Sequence, residues 1–255
     1  MQPKNKEFPK GMIPVGDSEF LFDCHKNVEC FNVCCRKVDL TLYPYDILRL
    51  KNCLKIDSEQ FLRSYTILAK GNNAFFPSVM IKLADDEEKS CPFLGEEGCT
   101  VYHDRPSACR TYPLERAVDR SEQSAVPDDF YFLVNHDYCK GHNEDKSNTV
   151  NSWVRSQRLI EFNTMNSLWA GMDTLFATNP WKGEGAAGEK QQLAFMVCYN
   201  IDGFRRFCHQ HQILKQFRLD KQTRRRIDNE DGELLKFGFD WLRLVLTGRS
   251  SLVKK

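Results

Sequence analysis

The pattern of apolar and polar positions predicts two short helices in the first part of the chain. Pro44 suits the first turn of a helix, because a residue there needs no backbone N–H. The apolar residues that follow share one face of that helix and are Ile47, Leu48, Leu50 and Leu54. A second helix is predicted after Asp57 or Ser58, either of which can cap its first turn. Its apolar positions are Phe61, Leu62, Tyr65 and Leu68.

The middle of the chain predicts two strands separated by a loop. Residues 76–83 predict a strand because Val79 and Ile81 stand at alternate positions, which is the period of a half-buried strand. Residues 130–134 predict the other strand, since they form a short apolar and aromatic run. Between the two strands, residues 91–113 are rich in turn-forming residues and are predicted to form a loop.

From about Thr149 onward the pattern becomes helical. Apolar residues then recur every three or four positions, which predicts an amphipathic helix with an apolar stripe facing a core. The stripe consists of Leu159, Phe162, Met165, Trp169, Met172 and Phe176. Asn179 and Pro180 end this helix, and further helices are predicted over residues 190–217 and 231–247.

Together these elements predict a mainly α fold with a few short strands. In this fold, a loop-rich region that carries most of the cysteines packs on a C-terminal helical bundle. Along the chain we expect an N-terminal arm over residues 1–20, the cysteine-cluster region over residues 21–145 and the helical region over residues 146–255.

The charge balance argues against nucleic acid or a membrane as partner. The 255 residues include 36 Lys and Arg against 35 Asp and Glu, a net charge of +1, so no overall field draws the chain to polyanions or anionic lipid. No stretch approaches the roughly 18 consecutive apolar residues of a membrane span. The N-terminal residues lack the apolar segment of a secretory signal. We therefore expect a cytoplasmic protein whose thiols stay reduced.

Two other patterns have ordinary explanations. Residues 183–188 match G-x-G-x-x-G, but the dinucleotide-binding motif needs a strand before it, and a predicted helix precedes it here, so we interpret it as a connection between helices. A basic stretch predicts one charged helical face, formed by Lys215, Arg218, Lys221 and Arg225. Acidic residues follow within residues 228–233 and can neutralise this face, so a solvated surface is the preferred interpretation.

The cysteines carry the strongest signal of chemistry. Eleven of the 255 residues are cysteine, and a chain of this length needs no covalent staples for its core. Eight of them form a spaced constellation: Cys24, Cys30, Cys34, Cys35, Cys91, Cys99, Cys109 and Cys139. In a reducing compartment such clustering favours metal ligation over disulfides. The other three, Cys53, Cys198 and Cys208, fall in predicted helices and are interpreted as ordinary helix residues.

Local features favour metal ligation by these eight cysteines. Adjacent residues project in different directions, so Cys34 and Cys35 suit two ions or a cluster, or one ligand and one packed thiol, better than a single tetrahedral ion. Cys91 precedes a proline, as a cluster ligand does in ferredoxin-type sequences. Arg105 and Arg110 lie beside the thiols in sequence and are predicted to donate hydrogen bonds to the ligand sulfurs or to offset their charge.

These motifs resemble those of the YkgJ family of cysteine-cluster proteins. The resemblance rests on Cys34-Cys35, on C-P-F-L from Cys91, and on C-T-V-Y-H-D-R-P-S-A-C-R-T-Y-P over residues 99–113. It covers about residues 22–142 and implies a domain that chelates zinc or iron. The first cysteine group departs from the family's C-x2-C-x2-C-C spacing, because its spacers here are five and three residues long.

A more distant resemblance is to flagellin lysine methylases of the FliB type, which share the cysteine-cluster region. This resemblance implies a [4Fe-4S] cluster used together with S-adenosylmethionine. The chain lacks the C-x3-C-x2-C pattern of radical enzymes that use this cofactor, because Lys37 stands where the third cysteine would be.

The sequence therefore leaves three functions open. The preferred one is a metal-binding protein that holds an iron–sulfur cluster of the [4Fe-4S] kind, with zinc as the alternative. The second is a cluster-dependent enzyme that modifies a protein, as a lysine methylase does. The third is a structural zinc module for protein–protein interaction. A protein substrate or partner is expected in each of the last two.

Overall fold

A computed structural model describes residues 13–119, 128–185 and 187–255 of the chain. Within these residues helices dominate, and the named strands are only two to six residues long. The predicted fold class, mainly α with a few short strands, is confirmed. In the described part of the chain, no helix combines the length and the apolar character needed to cross a membrane.

The elements follow one another in an order that mixes short strands with helices. The helices are α1 Pro44–Leu54, α2 Ser58–Tyr65, α3 Ser107–Thr111, α4 Val150–Ser156, α5 Leu159–Ala177, α6 Glu189–Tyr199, α7 Ile201–Gln210, α8 Lys221–Asn229 and α9 Asp231–Thr247. The strands are β1 Phe20–Leu21, β2 Thr66–Ala69, β3 Ser78–Ile81, β4 Leu94–Gly95, β5 Gly98–Cys99, β6 Leu114–Asp119, β7 Asp128–Leu133 and β8 Ser147–Asn148. They pair antiparallel as β1 with β8, β2 with β3, β4 with β5 and β6 with β7.

The described residues divide into two compact units, each built from several stretches of sequence. The first unit consists of the described residues up to Val38, together with Ala84–Tyr102 and Ser107–Asn163. The second unit consists of the described residues of Asp39–Leu83, His103–Pro106 and Thr164–Lys255. Residues 39–83 thus group with the C-terminal helices, although they lie between two groups of cysteines in the sequence. The arm and the two regions expected from the sequence stay a prediction about domain organisation.

The first unit has a small aromatic core. Phe22 lies edge-on to Trp153, with ring centroids 5.5 Å apart. The Trp153 indole donates a hydrogen bond to the carbonyl oxygen of Thr111 at 3.0 Å, so its one polar group is satisfied within the core. The other buried members of this cluster are Phe20, Leu114, Tyr131 and Leu159. Residues far apart in the chain therefore hold this unit together.

The second unit is built on amphipathic helices. Helix α6 packs against α1, α7 and α9, and α8 packs against α9. In α9, Leu235 and Leu242 are fully buried, and Gly248 ends the helix with a φ of 74°, a conformation that glycine adopts without strain. Helix α5 contributes residues to both units, and all six residues of its predicted apolar stripe are buried, which confirms that prediction.

Most of the predicted elements are confirmed. Helices α1 and α2 lie where the sequence predicts them, and the Asp57 carboxylate caps α2 by accepting from the Gln60 N–H at 2.7 Å. The placement of Leu68 in this helix is wrong, because α2 ends at Tyr65 and the chain continues as β2 to pair with β3. The two predicted strands correspond to β3 and β7.

Two stretches differ from their predictions. The prediction of a loop over residues 91–113 is wrong in part, because the stretch contains the β4–β5 pair and the short helix α3. Residues 190–217 contain two helices, since Asn200 follows α6 and its side chain caps α7 by accepting from the Gly203 N–H at 3.0 Å. Residues 183–188 connect α5 to α6 as predicted, with Ala186 outside the described residues.

The predicted alignment of four basic residues on one helix is also wrong. Lys215 lies in a separate 3-10 turn, and α8 begins only at Lys221. Between them the side chain of Phe217 is buried, and the Arg218 N–H donates to the Val253 carbonyl oxygen at 2.8 Å. This extended backbone interrupts the helix that the charge pattern suggested.

Candidate metal centre

The structure separates the eleven cysteines by their surroundings. All are free thiols. The eight candidate ligands belong to the first unit, and each is at least partly exposed. Cys53, Cys198 and Cys208 belong to helices of the second unit, as predicted, and the last two are buried. The division that the sequence suggested, eight thiols against three, therefore coincides with the two units.

The first four cysteines lie on a series of tight turns. The Val33 N–H donates to the Cys30 carbonyl oxygen at 3.0 Å, and the Cys35 N–H donates to that of Asn32 at 3.1 Å. Asn32 has a φ of 67°, in the left-handed region that asparagine tolerates better than most residues. The side chain of Val28 is buried and anchors this loop. The turns thus place four cysteines in one short segment outside any long helix or strand.

The chain around Cys139 closes on this loop. The Lys140 N–H points at the Cys30 sulfur at 3.0 Å, and the Asp23 N–H donates to the Gly141 carbonyl oxygen at 3.1 Å. Gly141 is required for this approach, because a Cβ there would lie 2.5 Å from the carbonyl oxygen of Asp23. Backbone contacts therefore bring the first loop and Cys139 together.

Residues 91–99 close on the other end of the same loop. The Cys91 N–H donates to the Cys35 carbonyl oxygen at 2.8 Å. Cys99 stands opposite Leu94 in the β4–β5 pair. Both cysteines are thereby linked by backbone pairing to the adjacent pair at the end of the first loop.

The thiols of the first loop interact electrostatically. The Cys35 S–H donates a hydrogen bond to the Cys34 sulfur, which lowers the pKa of Cys34 to about 7 and raises the pKa of Cys35. Burial raises the pKa of Cys24 to about 11. The charges of Cys34, Cys30 and Cys139 add to this rise. The thiolate is the form that binds metal, so the lowered pKa of Cys34 favours ligation by this residue.

Further thiols surround Cys35 and Cys91. After the hydrogen bond to Cys34 and burial, the charges of Cys91 and Cys109 also raise the pKa of Cys35. Burial is the main cause of the raised pKa of Cys91, and the charges of Cys99 and Cys34 contribute to the rise. These interactions relate Cys91 and Cys109 to the adjacent pair, and Cys99 to Cys91.

The two arginines predicted as partners of the thiols lie in different units. Arg110 is 3% exposed and follows Cys109 on α3. It donates from Nη1 to the Gln157 carbonyl oxygen at 2.7 Å and lies 4.6 Å from the centre of the Phe162 ring. Part of its hydrogen-bonding capacity therefore supports the fold. Arg105 belongs to the second unit, and the roles of both arginines toward ligand sulfurs stay predictions.

A group of aromatic side chains beside Cys139 was missed by the sequence reasoning. The Tyr112 O–H hydrogen-bonds the Cys139 sulfur and lies 3.3 Å from Nε2 of His142. The His136 ring stacks on Tyr112 and on Tyr138, with centroid distances of 5.5 and 5.1 Å. Burial, followed by the bond to Cys139, raises the pKa of Tyr112, so its hydroxyl stays protonated and donates. The spacing Cys139-x2-His142 was the one available hint, and it does not reveal the stacked rings.

The donors of the first unit match zinc or iron in kind, while their arrangement is more open than a closed metal shell. Structural zinc sites and iron–sulfur clusters both take cysteine thiolates. Among the described residues, no three His, Cys, Asp or Glu side chains converge closely enough to hold an ion as folded. Ligation by these cysteines therefore requires the thiols to close on the metal.

These observations define a class: a mainly α protein with one thiol-rich unit suited to soft metals. Residues 23–140 match the family model described as "CxxCxxCC: Putative zinc- or iron-chelating domain". The matched stretch includes all eight candidate cysteines. The match supports this domain family for that part of the chain and indicates chelation of zinc or iron. No curated protein and no solved structure matched the chain.

Proposed function

We propose that residues 23–140 bind metal through the eight cysteines, and that the metal is iron held as an iron–sulfur cluster. The observation that carries this proposal is the position of the thiols: eight partly exposed thiols share the first unit, and their charges act on one another. The match to a zinc- or iron-chelating domain supports chelation. The choice between the two metals depends on the cysteine pattern.

The cysteine pattern favours a cluster over one zinc ion. Eight thiols exceed the four that one tetrahedral zinc ion takes. The adjacent pair Cys34–Cys35 suits two metal centres or a cluster better than one tetrahedral ion, and Cys91 precedes a proline as cluster ligands do in ferredoxin-type sequences. Zinc remains the alternative, because eight thiols also satisfy two zinc ions with four cysteines each.

The aromatic residues have a role beside such a site. When bound, an iron–sulfur cluster supplies one-electron chemistry at a potential set by its surroundings. The Tyr112 O–H donates to Cys139, and a hydrogen bond to a ligand sulfur shifts the reduction potential. His142, at 3.3 Å from the same hydroxyl, helps to orient this donor.

The sequence leaves two finer functions open. A cluster-dependent modification of a protein, as in lysine methylation, extends this proposal, whereas a structural zinc module that binds a protein partner is the alternative if the metal is zinc. A cytoplasmic location belongs with both, since it keeps the thiols reduced. Each of the three stays a prediction.

Anaerobic purification of the full chain, with metal and acid-labile sulfide analysis, tests the proposal. We expect a brown protein with a broad visible absorption band and with iron and sulfide in equal amounts. A colourless protein with stoichiometric zinc would show that the metal is zinc and not iron. A protein that takes up neither metal would contradict the proposal that these cysteines bind metal. Cys109→Ala should lower the metal content. The matched control Cys198→Ala, in a buried helix position, should leave it unchanged.

A further inference from the structure

We infer that the eight cysteines form two separate metal sites of four thiols each, which meet at the adjacent pair Cys34–Cys35. The first site consists of Cys24, Cys30, Cys34 and Cys139. The second site consists of Cys35, Cys91, Cys99 and Cys109. This inference rests on the proposed metal-binding function and adds to it the number of sites and the assignment of each ligand.

Two backbone contacts hold the first site together. Lys140, directly after Cys139, donates its N–H to the Cys30 sulfur at 3.0 Å. Asp23, directly before Cys24, donates its N–H to the carbonyl oxygen of Gly141 at 3.1 Å. The first loop and the chain around Cys139 are therefore fixed to each other at two points, and each point is next to a proposed ligand.

The thiols of the first site also share one electrostatic neighbourhood. Cys24 interacts with the other three proposed members, Cys30, Cys34 and Cys139. The side chain of Tyr138, which is next to Cys139 in sequence, interacts with the same three thiols. Two different side chains thus identify the same set of sulfurs as neighbours.

Backbone pairing also assembles the second site. The Cys91 N–H donates to the Cys35 carbonyl oxygen at 2.8 Å, and the Leu94 N–H donates to the Cys91 carbonyl oxygen at 3.0 Å. Cys99 stands opposite Leu94 in the β4–β5 pair. Cys35 interacts with Cys91 and Cys109, and Cys91 interacts with Cys99. Backbone pairing thus connects Cys35, Cys91 and Cys99, and the charge of Cys109 acts on Cys35.

The adjacent pair is where the two sites meet. Cys34 interacts with Cys24 of the first site and with Tyr138 beside it. It also interacts with Cys35 and Cys91 of the second site. Assigning Cys34 to the first site gives four thiols to each. Four thiolates complete the coordination of a zinc ion or of a four-iron cluster, so this division leaves no thiol unused.

Serine variants of the full chain test the assignment. One variant removes the first site: Cys24→Ser, Cys30→Ser, Cys34→Ser and Cys139→Ser. Another removes the second site: Cys35→Ser, Cys91→Ser, Cys99→Ser and Cys109→Ser. The matched control also carries four serines but takes two from each site: Cys24→Ser, Cys30→Ser, Cys91→Ser and Cys99→Ser. Each is loaded anaerobically with ferrous iron and sulfide, or with zinc alone, and its metal is measured per chain.

We expect each single-site variant, in which one site is removed and the other is intact, to keep half of the wild-type metal. The mixed variant, which loses two thiols from each site, should keep none. The inference is overturned if one single-site variant keeps all of the metal and the other keeps none, because that result indicates one site. It is also overturned if the mixed variant keeps as much metal as the single-site variants. Far-UV circular dichroism establishes whether the helices are retained in each variant.

A zinc titration of the wild-type chain decides the number of sites without any substitution. Iodoacetamide labelling, read by mass spectrometry at each cysteine, shows which thiols the metal protects. We expect saturation at two zinc ions per chain with all eight thiols protected. Saturation at one zinc ion with four thiols protected would overturn the two-site inference. A chain that takes up neither zinc nor, when loaded anaerobically, iron and sulfide would instead contradict the proposed function, so the two failures are distinguishable.

Discussion

The two units use the same residue in opposite ways. In the first unit, eight cysteines lie on turns and short elements and are at least partly exposed. In the second unit, Cys198 and Cys208 are buried on helices, and burial raises the pKa of Cys208 to about 12. Cys34 of the first unit has its pKa lowered to about 7 by the hydrogen bond from Cys35.

This difference shows that the count of cysteines says less than their backbone setting. A thiol on a packed helix face behaves as a small apolar side chain. A thiol on a partly exposed turn is free of such packing and can rotate toward a metal, which it binds as the thiolate. The contrast predicts that treatments of the metal act on the first unit and that core substitutions act on the second.

The largest expected effect is that of metal removal on the first unit. Metal binding to cysteines contributes directly to folding, by roughly 10 kcal/mol for small zinc modules at neutral pH, and the first unit has only a small core. We expect removal of the metal by an added chelator to increase amide hydrogen exchange strongly in residues 84–102 and 128–148. Exchange in α6 and α9 serves as the internal control and should change little. Equal loss of protection in both units would break the comparison.

The converse test is a core substitution in the second unit. Phe176 is fully buried, and its ring is tilted against that of Phe76, with centroids 4.4 Å apart. Phe176→Ala should lower the free energy of unfolding by about 3–5 kcal/mol, because it leaves a cavity, while the metal content per folded chain stays at the wild-type value.

Leu168→Ala is the matched control on the same helix, because Leu168 is 41% exposed. It should change the free energy of unfolding by less than about 0.5 kcal/mol. Denaturant titration and metal analysis of both variants give the two readouts. Loss of metal from folded Phe176→Ala would show that the two units are not independent in this respect.

Much of the second unit follows from the period of its apolar side chains. The stripe from Leu159 to Phe176 and the apolar face of α9 identify buried helix faces directly, since a regular helix repeats locally. Shorter elements escape this reasoning. Helix α3 spans only five residues, and Leu68 joins β2 because it pairs with β3, a tertiary contact that a local pattern does not contain.

A smaller effect is expected at the contact between the first loop and the chain around Cys139. Gly141→Ala places a Cβ 2.5 Å from the Asp23 carbonyl oxygen, so the two segments must move apart. We expect a loss of roughly 1–3 kcal/mol in the free energy of unfolding and a lowered metal content.

Gly232→Ala is the control for this substitution, because nothing lies within 4 Å of the added Cβ. It lies on α9, where alanine is favoured over glycine, and should be neutral or stabilising by about 0.4–1 kcal/mol. Thermal unfolding and metal analysis compare the two variants. Unchanged metal content in Gly141→Ala would show that metal binding does not depend on this contact.

The smallest expected effect is a shift in the pH dependence of one thiol. In the metal-free chain, alkylation of Cys34 should increase as pH rises through about 7, because the thiolate is the reactive form and its pKa is lowered. Alkylation of Cys24 should increase only near pH 11. Cys35→Ala removes the donor and should move the Cys34 midpoint upward, toward the ordinary thiol value of about 8.5. Cys53→Ala, in the second unit, should leave the midpoint unchanged.

The sequence singles out the candidate ligands, but it does not predict how the fold arranges them. The clustering and the C-x-V-Y-x-x-R-P-x-x-C-R-x-Y-P pattern are local signals, and they select eight cysteines as candidate ligands. The contact of Lys140 with Cys30 joins residues 110 positions apart. The stacking of His136 on Tyr112 also depends on how the segments fold together. Such non-local contacts leave no periodic trace in the sequence.

Labelling of the wild-type chain before and after metal removal tests the central claim most directly. The full chain is purified anaerobically. It is then treated briefly with iodoacetamide, either directly or after an added chelator has removed the metal. Cys53 is exposed and belongs to the second unit, so it is the internal reference. We predict that the thiols of the first unit that react in the metal-free chain, Cys34 above all because its pKa is lowered, are protected until the metal is removed, while Cys53 reacts in both samples. Reaction of Cys34 to the same extent before and after removal of the metal would contradict the account.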